Sequence, residues 1–193
     1  MSRPKEFDRE EVLDRAIDAF WARGYEATSV QDLVDSMGIN RGSIYATFGD
    51  KHRLFLEALD RYEEAFHTKM LEVLRGPSSP RKGIERVFDA VIRECACDSG
   101  KRGCLLTNSA VELSGHDRET AARVQMNLSR LETAFEETLC SAKEIGEIGA
   151  QHDPKALARF LTSSLQGLRV MSKAWPDRVV LRDVAEVTLS ALD

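Results

Sequence analysis

Hydrophobic residues recur every three to four positions through most of the chain, and this spacing is typical of amphipathic α-helices. A first helix is predicted from about Asp8 to Ala22, ending before Gly24, and a long helix is predicted from about Asp50 to Leu74. Turn-forming segments at 76–80, 98–102 and 146–154 separate the later helices. The pattern predicts an all-α protein.

Between these two helices lies a segment that predicts a helix, a tight turn and a second helix. Thr28 and Gln31 fit a capping box, so a helix is expected from about Ser29, and Gly38 is expected to end it. Asn40 is a suitable N-cap for the following helix. Ile44 and Phe48, four residues apart, are expected to point inward. The residues left for the outer faces are Arg41, Gly42, Ser43, Tyr45, Ala46 and Thr47. This pattern favours a helix-turn-helix, whose second helix presents side chains to the DNA major groove.

At these residues the chain resembles the TetR family of bacterial transcriptional regulators. The matching pattern runs from Thr28 to Lys51, as T-S-V-x-D-L followed by G-I-N-R-G-S-I-Y-x-x-F-G-D-K. The helix from Val12 to Phe20 and the run R-G-Y-E-A-T at 23–28 extend it upstream. The resemblance implies nine helices, a helix-turn-helix DNA-binding domain over 1–50 and a helical effector-binding and dimerisation domain over 51–193. The pattern alone leaves a second interpretation open, a generic αα-hairpin within a helical bundle.

Candidate DNA contacts follow from the hairpin and the resemblance. Arg41 can reach a guanine or a phosphate, and Ser43 and Thr47 can donate to phosphate. Tyr45 resembles the family's phosphate-contacting tyrosine. Lys51 is expected at the N-terminus of the fourth helix, where free N–H groups favour a phosphate, and Thr28 is given the same role at the start of the second helix. The full set is Thr28, Asn40, Arg41, Gly42, Ser43, Tyr45, Ala46, Thr47 and Lys51.

The net charge of the chain does not indicate nucleic-acid binding, because its formal value is −5. Acidic residues outnumber basic ones even within residues 1–53, so any positive surface must be local, around Arg41, Lys51, His52 and Arg53. The chain has no apolar run near 18 residues and no signal peptide at its charged N-terminus, so we expect a cytoplasmic protein.

The resemblance also implies an effector pocket in the C-terminal helices. Asn127 and Arg169 are among the polar residues that neighbour the apolar candidates. The alternative is that these residues form an ordinary core with polar groups at its edge. The candidates for the pocket are Phe88, Ile92, Cys104, Leu105, Asn108, Gln125, Leu128, Phe135 and Gln166.

Four cysteines, Cys95, Cys97, Cys104 and Cys140, allow three interpretations. They can be small buried hydrophobic residues. Cys104, close to Lys101 and Arg102, can be a thiol that senses oxidants or electrophiles, as some TetR-like regulators do through a cysteine in this region. Cys95, Cys97 and Cys104 can bind a soft metal with His116. The first interpretation is preferred, so neither a cofactor nor a bound metal is expected.

An enzyme is not predicted. The chain has no phosphate-binding glycine-rich loop and no zinc-protease helix motif, and a Cys104–His116 pair lacks an orienting third group. The expected function is a DNA-binding transcriptional regulator, a repressor released from a near-palindromic operator by a small molecule. The alternatives are a thiol-based redox or electrophile-sensing regulator acting through Cys104, and a helical interaction module that does not bind DNA.

A homodimer is predicted from the last two helices. Their apolar stripes, paired about a two-fold axis, would form a four-helix bundle, and the resemblance also implies this dimer. The alternative is that both stripes pack inward within one protomer. The interface candidates are Leu157, Leu161, Ser164, Leu165, Leu168, Met171, Val180 and Val184.

Overall fold

The computed structural model describes residues 7–76, 79–95 and 102–193. Within these ranges the chain forms nine α-helices and no strand, which confirms the all-α prediction. No helix in the described residues is long and apolar enough to cross a membrane. The helices are α1 Arg9–Arg23, α2 Val30–Met37, α3 Arg41–Phe48, α4 Lys51–Arg75, α5 Pro80–Cys95, α6 Leu105–Leu113, α7 Arg118–Glu144, α8 Pro154–Ala174 and α9 Arg178–Ser190.

Part of the predicted cysteine cluster cannot be placed. Cys97, Lys101 and the side chain of Cys95 lie outside the described residues. The metal hypothesis and the proposed effect of Lys101 on Cys104 both rest on these groups. They therefore stay predictions.

Two apolar cores organise the helices. The first joins α1, α2, α3 and the N-terminal half of α4 to α6 and the start of α7, with Phe20 edge-on to Phe55 at 5.2 Å between ring centroids. The second joins the C-terminal half of α4 to α5, α7, α8 and α9 around Phe88 and Phe135. Because α6 packs into the first core, the predicted boundary between residues 50 and 51 is crossed by apolar packing, and it stays a prediction.

The caps of α2 and α3 define the hairpin between them. Ser29 is the N-cap of α2 and forms a reciprocal capping box with Asp32, so the prediction that used Thr28 and Gln31 was wrong by one residue. Gly38 ends α2 with a φ of 70°, a left-handed conformation that glycine adopts without steric cost. The side chain of Asn40 accepts a hydrogen bond from the Ser43 N–H at 2.8 Å, which starts α3 as predicted.

The inward and outward faces of α8 differ from the predicted ones. Leu161, Leu165 and Leu168 lie fully buried in the second core, so the prediction that they form a dimer interface is wrong. The regular 3.6-residue stripe is the face that packs within the protomer, mainly against α7. Leu157, Ser164, Met171, Val180 and Val184 lie half-buried at the edge of this core.

Candidate nucleic-acid interface and buried polar cavity

Helix α3 has one buried face and one face open to solvent. Ile44 and Phe48 are buried in the first core, as predicted. On the opposite face Arg41, Gly42, Tyr45 and Ala46 are exposed, and Ser43 and Thr47 are half-buried beside them. This surface of two short polar side chains, a cation and a phenol is the candidate nucleic-acid interface.

Three residues of the predicted DNA-contact set, Thr28, Asn40 and Gly42, have structural roles in the hairpin. Thr28 is fully buried, and its hydroxyl donates to the Gly24 carbonyl at 2.5 Å, so its predicted phosphate contact is wrong. Ser29, the exposed N-cap of α2, occupies the position that sequence reasoning gave to Thr28. Asn40 is exposed but uses its side-chain oxygen as the α3 cap. An added Cβ at Gly42 would lie 3.3 Å from that same oxygen, so glycine leaves the cap undisturbed.

Lys51 is the first residue of α4, as predicted. Its ammonium lies 4.2 Å from the centroid of the Tyr25 ring, a cation–π contact that fixes the side chain near the start of the helix. Asp50 caps α4 by accepting from the Arg53 N–H at 2.8 Å. Lys51 therefore stands at the end of the hairpin, one short turn beyond α3.

A small enclosed cavity lies between α4, α7 and α8. Its volume is about 10 Å³, space for one water molecule. Despite its small size it is lined mostly by polar or charged side chains, which is unusual for the middle of a helical bundle. The lining residues are Glu63, Phe66, His67, Cys104, Leu106, Asn127, Leu131, Gln166 and Arg169.

Of the predicted pocket residues, only Cys104 and Gln166 line this cavity. Asn108 lines an adjoining open cleft of about 390 Å³, which Cys104 and Arg169 also border. The remaining predictions do not fit the cavity. Phe88, Ile92 and Phe135 are packed in the second core, Leu105 and Leu128 belong to the first, and Gln125 is exposed. Large apolar residues fill these cores, so the cavity is left where polar residues meet.

Arg169 is the most unusual group in the cavity. It is only 4% exposed, and its guanidinium carbon lies 4.1 Å from the centroid of the Phe66 ring. Its Nε and Nη2 are buried and have no hydrogen-bond partner in the described part of the chain. The nearest carboxylate oxygen, Oε2 of Glu94, lies 3.7 Å from Nη2, which is too long for a hydrogen bond. Burial opposes the charge, but Cys104, Tyr62 and Glu94 raise the pKa of Arg169, so it stays protonated.

Glu63 is the second buried ionisable group in the cavity. It is 5% exposed, and its Oε1 has no hydrogen-bond partner among the described residues. Burial raises the pKa of Glu63 to about 7, and Arg169 and Arg130 only partly oppose that rise. Near neutral pH, Glu63 is therefore present in both protonation states.

The Cys104 thiol lies beside these groups. It is buried at the N-cap of α6 and accepts a weak hydrogen bond from the Tyr62 hydroxyl at 3.9 Å. Burial, followed by Cys104, raises the pKa of Tyr62 well above its ordinary value. Arg102, which sequence reasoning placed next to the thiol, instead pairs with Asp18 at 2.7 Å and stacks on Trp21. The cation close to Cys104 is Arg169.

Helix α6 connects the cavity to the hairpin. At its N-terminus is Cys104, and near its C-terminus Glu112 accepts hydrogen bonds from the N–H groups of Tyr25 and Glu26, at 3.0 and 2.8 Å. These two residues lie in the loop between α1 and α2. Beside them, His52 of α4 pairs with Asp117, the N-cap of α7, at 2.9 Å.

Sequence reasoning missed Glu63, and it mentioned Arg169 only as a polar neighbour of the pocket. A signal was present in both cases. Glu63 falls in the buried phase of α4, with Leu59 before it and Met70 after it, and Arg169 follows Leu165 and Leu168 in the buried phase of α8. A charged residue at a core position of an amphipathic helix indicates a functional group or a buried ion pair.

The fold and the exposed α3 surface define a helix-turn-helix DNA-binding regulator. Residues 12–58 match the family model described as bacterial regulatory proteins, tetR family, and residues 81–187 match the tetracyclin repressor-like C-terminal domain. The chain belongs to the TetR family of bacterial transcriptional regulators.

Relatives in this family align along nearly the whole chain. The uncharacterized HTH-type transcriptional regulator YezE of Bacillus subtilis (strain 168) is 39% identical and covers 100% of both chains. The HTH-type transcriptional repressor ComR of Escherichia coli (strain K12) is 31% identical over 97% of this chain and 90% of its own. A cysteine mutant of the TetR family regulator CifR, solved with a 26bp double-strand operator DNA, superimposes with a TM-score of 0.87. It is 34% identical, over 99% of this chain and 100% of that one.

Proposed function

We propose that this protein is a repressor that binds a near-palindromic operator as a homodimer and is released by a small molecule. The observation that carries the proposal is α3, a capped helix whose outer face of small and polar residues is not covered by any described element. The relatives support it, because ComR is named a repressor and CifR has been solved on operator DNA. In this role the protein acts in the bacterial cytoplasm and performs no catalysis.

The proposed DNA contacts divide into base-reading and phosphate-binding groups. Arg41, exposed in the first turn of α3, is the candidate for reading a base edge. Tyr45, Ser43 and Thr47 are candidates for phosphate contacts along the same face. Lys51 is proposed to bind a phosphate at the start of α4, where its ammonium adds to the helix dipole.

Fluorescence anisotropy with the DNA upstream of the protein's own gene, at two salt concentrations, tests these roles. Tyr45→Phe and Lys51→Ala should weaken binding to all sequences by a similar factor, and Lys51→Ala should also reduce the salt dependence. Arg41→Ala should in addition change which operator variants are preferred. Arg86→Ala, an exposed arginine on α5, is the control and should leave operator binding unchanged. If the wild type selects no sequence, the interaction-module alternative replaces this proposal.

The proposed dimer surface is the outward face of α8 and α9. Phe160 is 46% exposed and Val170 52% exposed, and Gly167 between them has open space where a Cβ would be. On α9, Val179 and Val187 are 69% and 73% exposed. Exposed apolar residues of this size, next to a glycine that allows close helix approach, favour a helix-to-helix contact between two copies.

Two substitutions on α8 separate the surface from the core. Val170→Glu should leave the fold intact but weaken the dimer, and operator affinity should fall with it. Leu165→Glu places a charge in the second core and should unfold the protomer instead. Light scattering over a dilution series, together with circular dichroism, measures both effects. A dimer that survives Val170→Glu and Phe160→Glu combined would contradict the proposed surface.

Helix α6 is proposed to carry the signal between the two regions. A ligand that enlarges the cavity would displace Cys104 at the start of α6, and the shift would reach Glu112 and its two hydrogen bonds to the α1–α2 loop. Glu112→Gln removes the charge from these bonds. It should alter the ligand concentration needed for operator release more than it alters operator affinity without ligand.

A second candidate function, thiol sensing, is favoured by the position of Cys104 beside Arg169. A buried guanidinium next to the thiol can pair with the sulfenate that forms when a peroxide oxidises the sulfur. If this function holds, treatment with hydrogen peroxide should reduce operator binding, and dithiothreitol should restore it. Cys104→Ser should bind operator but lose the response, and Cys140→Ser, at an exposed cysteine, should keep it. A response that survives in Cys104→Ser would exclude this residue as the sensor.

A further inference from the structure

The two unpartnered nitrogens of Arg169 lie on the same edge of the guanidinium. Nε–H and one N–H of Nη2 point in the same direction, at the spacing of two oxygens of a carboxylate. The ring of Phe66 lies at 4.1 Å from the guanidinium carbon and orients the guanidinium plane. Among the described residues, this buried cation of fixed orientation has no bidentate acceptor for the Nε–Nη2 edge.

The surrounding groups do not supply that acceptor. Glu94 comes from α5 and lies 3.7 Å from Nη2, and 45% of its side chain is exposed to water. Glu63, on α4, forms no ion pair with Arg169 within 4.0 Å among the described residues, and its Oε1 is itself without a hydrogen bond. Leaving buried polar groups unpaired costs free energy, which a ligand carrying the missing acceptor recovers.

We propose that the cavity between α4, α7 and α8 binds the carboxylate of a small organic acid, held bidentately by the Nε–Nη2 edge of Arg169. The inference deepens the proposed function, on which it rests, by naming the chemical class of the effector. Asn127 and Gln166 line the same cavity and offer amide groups for further polar contacts. Phe66, Leu106 and Leu131 offer apolar contact to a short carbon chain.

An entry route adjoins the cavity. Arg169 and Cys104 border both the cavity and the open cleft between α1, α6 and α8. Lys173 and Arg23 line that cleft, and they attract an approaching anion. The one acidic residue among the cleft-lining groups, Glu112, uses its carboxylate oxygens to accept the two N–H groups of the α1–α2 loop. The cavity must expand to admit even a one-carbon acid, and that expansion is what would displace α6.

Glu63 makes the binding pH-dependent. The titratable and charged groups around Glu63 and Arg169 are Tyr62 and His67 from α4, Glu94 from α5, Cys104 before α6, and Arg130 from α7, which acts on Glu63. Burial, followed by Arg130, lowers the pKa of His67, which favours its neutral form. A bound carboxylate repels ionised Glu63 and tolerates neutral Glu63. If only the neutral form permits binding, a pKa of about 7 makes affinity fall about tenfold from pH 6 to pH 8.

The test uses the full chain, and formate, acetate, butyrate and benzoate as probes, each against its neutral amide and against sodium chloride at equal ionic strength. The wild type should gain thermal stability with one or more of the acids and release operator DNA at the same concentrations. The amides and the chloride should have no effect. Arg169→Gln should lose the response, and Arg86→Gln, an exposed arginine on α5, should keep it.

Two further variants keep the proposal falsifiable if Arg169→Gln does not fold. Glu63→Gln should bind the acids equally well at pH 6 and pH 8. Glu94→Gln should keep the response, because Glu94 is not a ligand contact in this proposal. Operator binding without any acid is measured first, and its absence would count against the proposed function. Specific operator binding with no stabilisation or release by any of the four acids would overturn the carboxylate site, as would an equal response to acid and amide.

Discussion

The α2–α3 hairpin and the cavity between α4, α7 and α8 differ in whether their polar side chains have hydrogen-bond partners. In the hairpin, Ser29 and Asn40 cap their helices, and the remaining polar side chains are exposed or half-buried. In the cavity, the Nε–Nη2 edge of Arg169 and the Oε1 of Glu63 are buried and form no hydrogen bond with any described residue. The first region satisfies its own polar groups, which is the property of a rigid reading surface. The cavity contains buried polar groups without hydrogen-bond partners among the described residues, and a ligand that supplies those partners would be stabilised there.

The largest expected contrast is in stability. Phe20→Ala removes a fully buried ring that packs on Phe55 and should cost about 3–5 kcal/mol in free energy of unfolding. Arg169→Met replaces the unsatisfied cation by an apolar side chain and should change stability by less than about 1 kcal/mol, in either direction. Urea unfolding at pH 6, where Glu63 can stay neutral, measures both. A loss from Arg169→Met as large as that from Phe20→Ala would show that Arg169 is a satisfied structural residue.

The difference between the hairpin and the cavity also explains which features the sequence could predict. The hairpin depends on local rules: Gly38 ends α2, Asn40 caps α3, and Ile44 and Phe48 repeat at four residues, so its helices and buried face were predictable. Thr28 was misplaced because Ser29 beside it is an equally good cap. In the structure Ser29 caps α2, and the Thr28 hydroxyl instead donates to the Gly24 carbonyl four residues earlier.

The cavity and the outer face of α8 depend on which helices meet. Leu161, Leu165 and Leu168 form a clear stripe, but a stripe does not state whether it packs on the same chain or on a second copy. The predicted pocket residues Phe88 and Phe135 were chosen for being large and apolar, and such residues fill space. Glu63 and Arg169 are far apart in sequence, and the fold brings both to one cavity.

Glu63 should give the next largest effect, seen as a pH dependence of stability. Its folded pKa of about 7 lies above the ordinary 4.5, so the fold favours the protonated form. The stability that this group contributes is complete below about pH 4.5, declines as the pH rises, and is lost above about pH 7. The whole decline amounts to about 3 kcal/mol, because each pKa unit corresponds to about 1.4 kcal/mol.

Urea unfolding of wild type and Glu63→Gln at pH 5 and pH 8 measures this decline. The difference in stability between the two proteins should change in favour of the glutamine variant as the pH rises. The comparison cancels the opposite trend of His67, whose pKa is lowered, because both proteins contain it. Asp14 and Asp117 have lowered pKa values and act below this pH window. Parallel pH profiles of the two proteins would show that Glu63 is not the buried acid that the cavity geometry indicates.

The smallest expected effect concerns the α2–α3 hairpin. Asn40→Ala removes the α3 cap and should cost about 1 kcal/mol. The amides of the first turn of α3 should exchange faster with deuterium, and operator affinity should fall by about fivefold, the factor that corresponds to this energy. Asp153→Ala removes the cap of α8, where the side chain accepts the Lys155 N–H at 3.0 Å, and should cost a similar amount with operator affinity unchanged. A loss of operator affinity from Asn40→Ala far above fivefold would mean that Asn40 also contacts DNA. An equal loss of operator affinity in both variants would mean that operator binding follows overall stability. The α3 cap would then not be needed specifically to order the DNA-contacting face of α3.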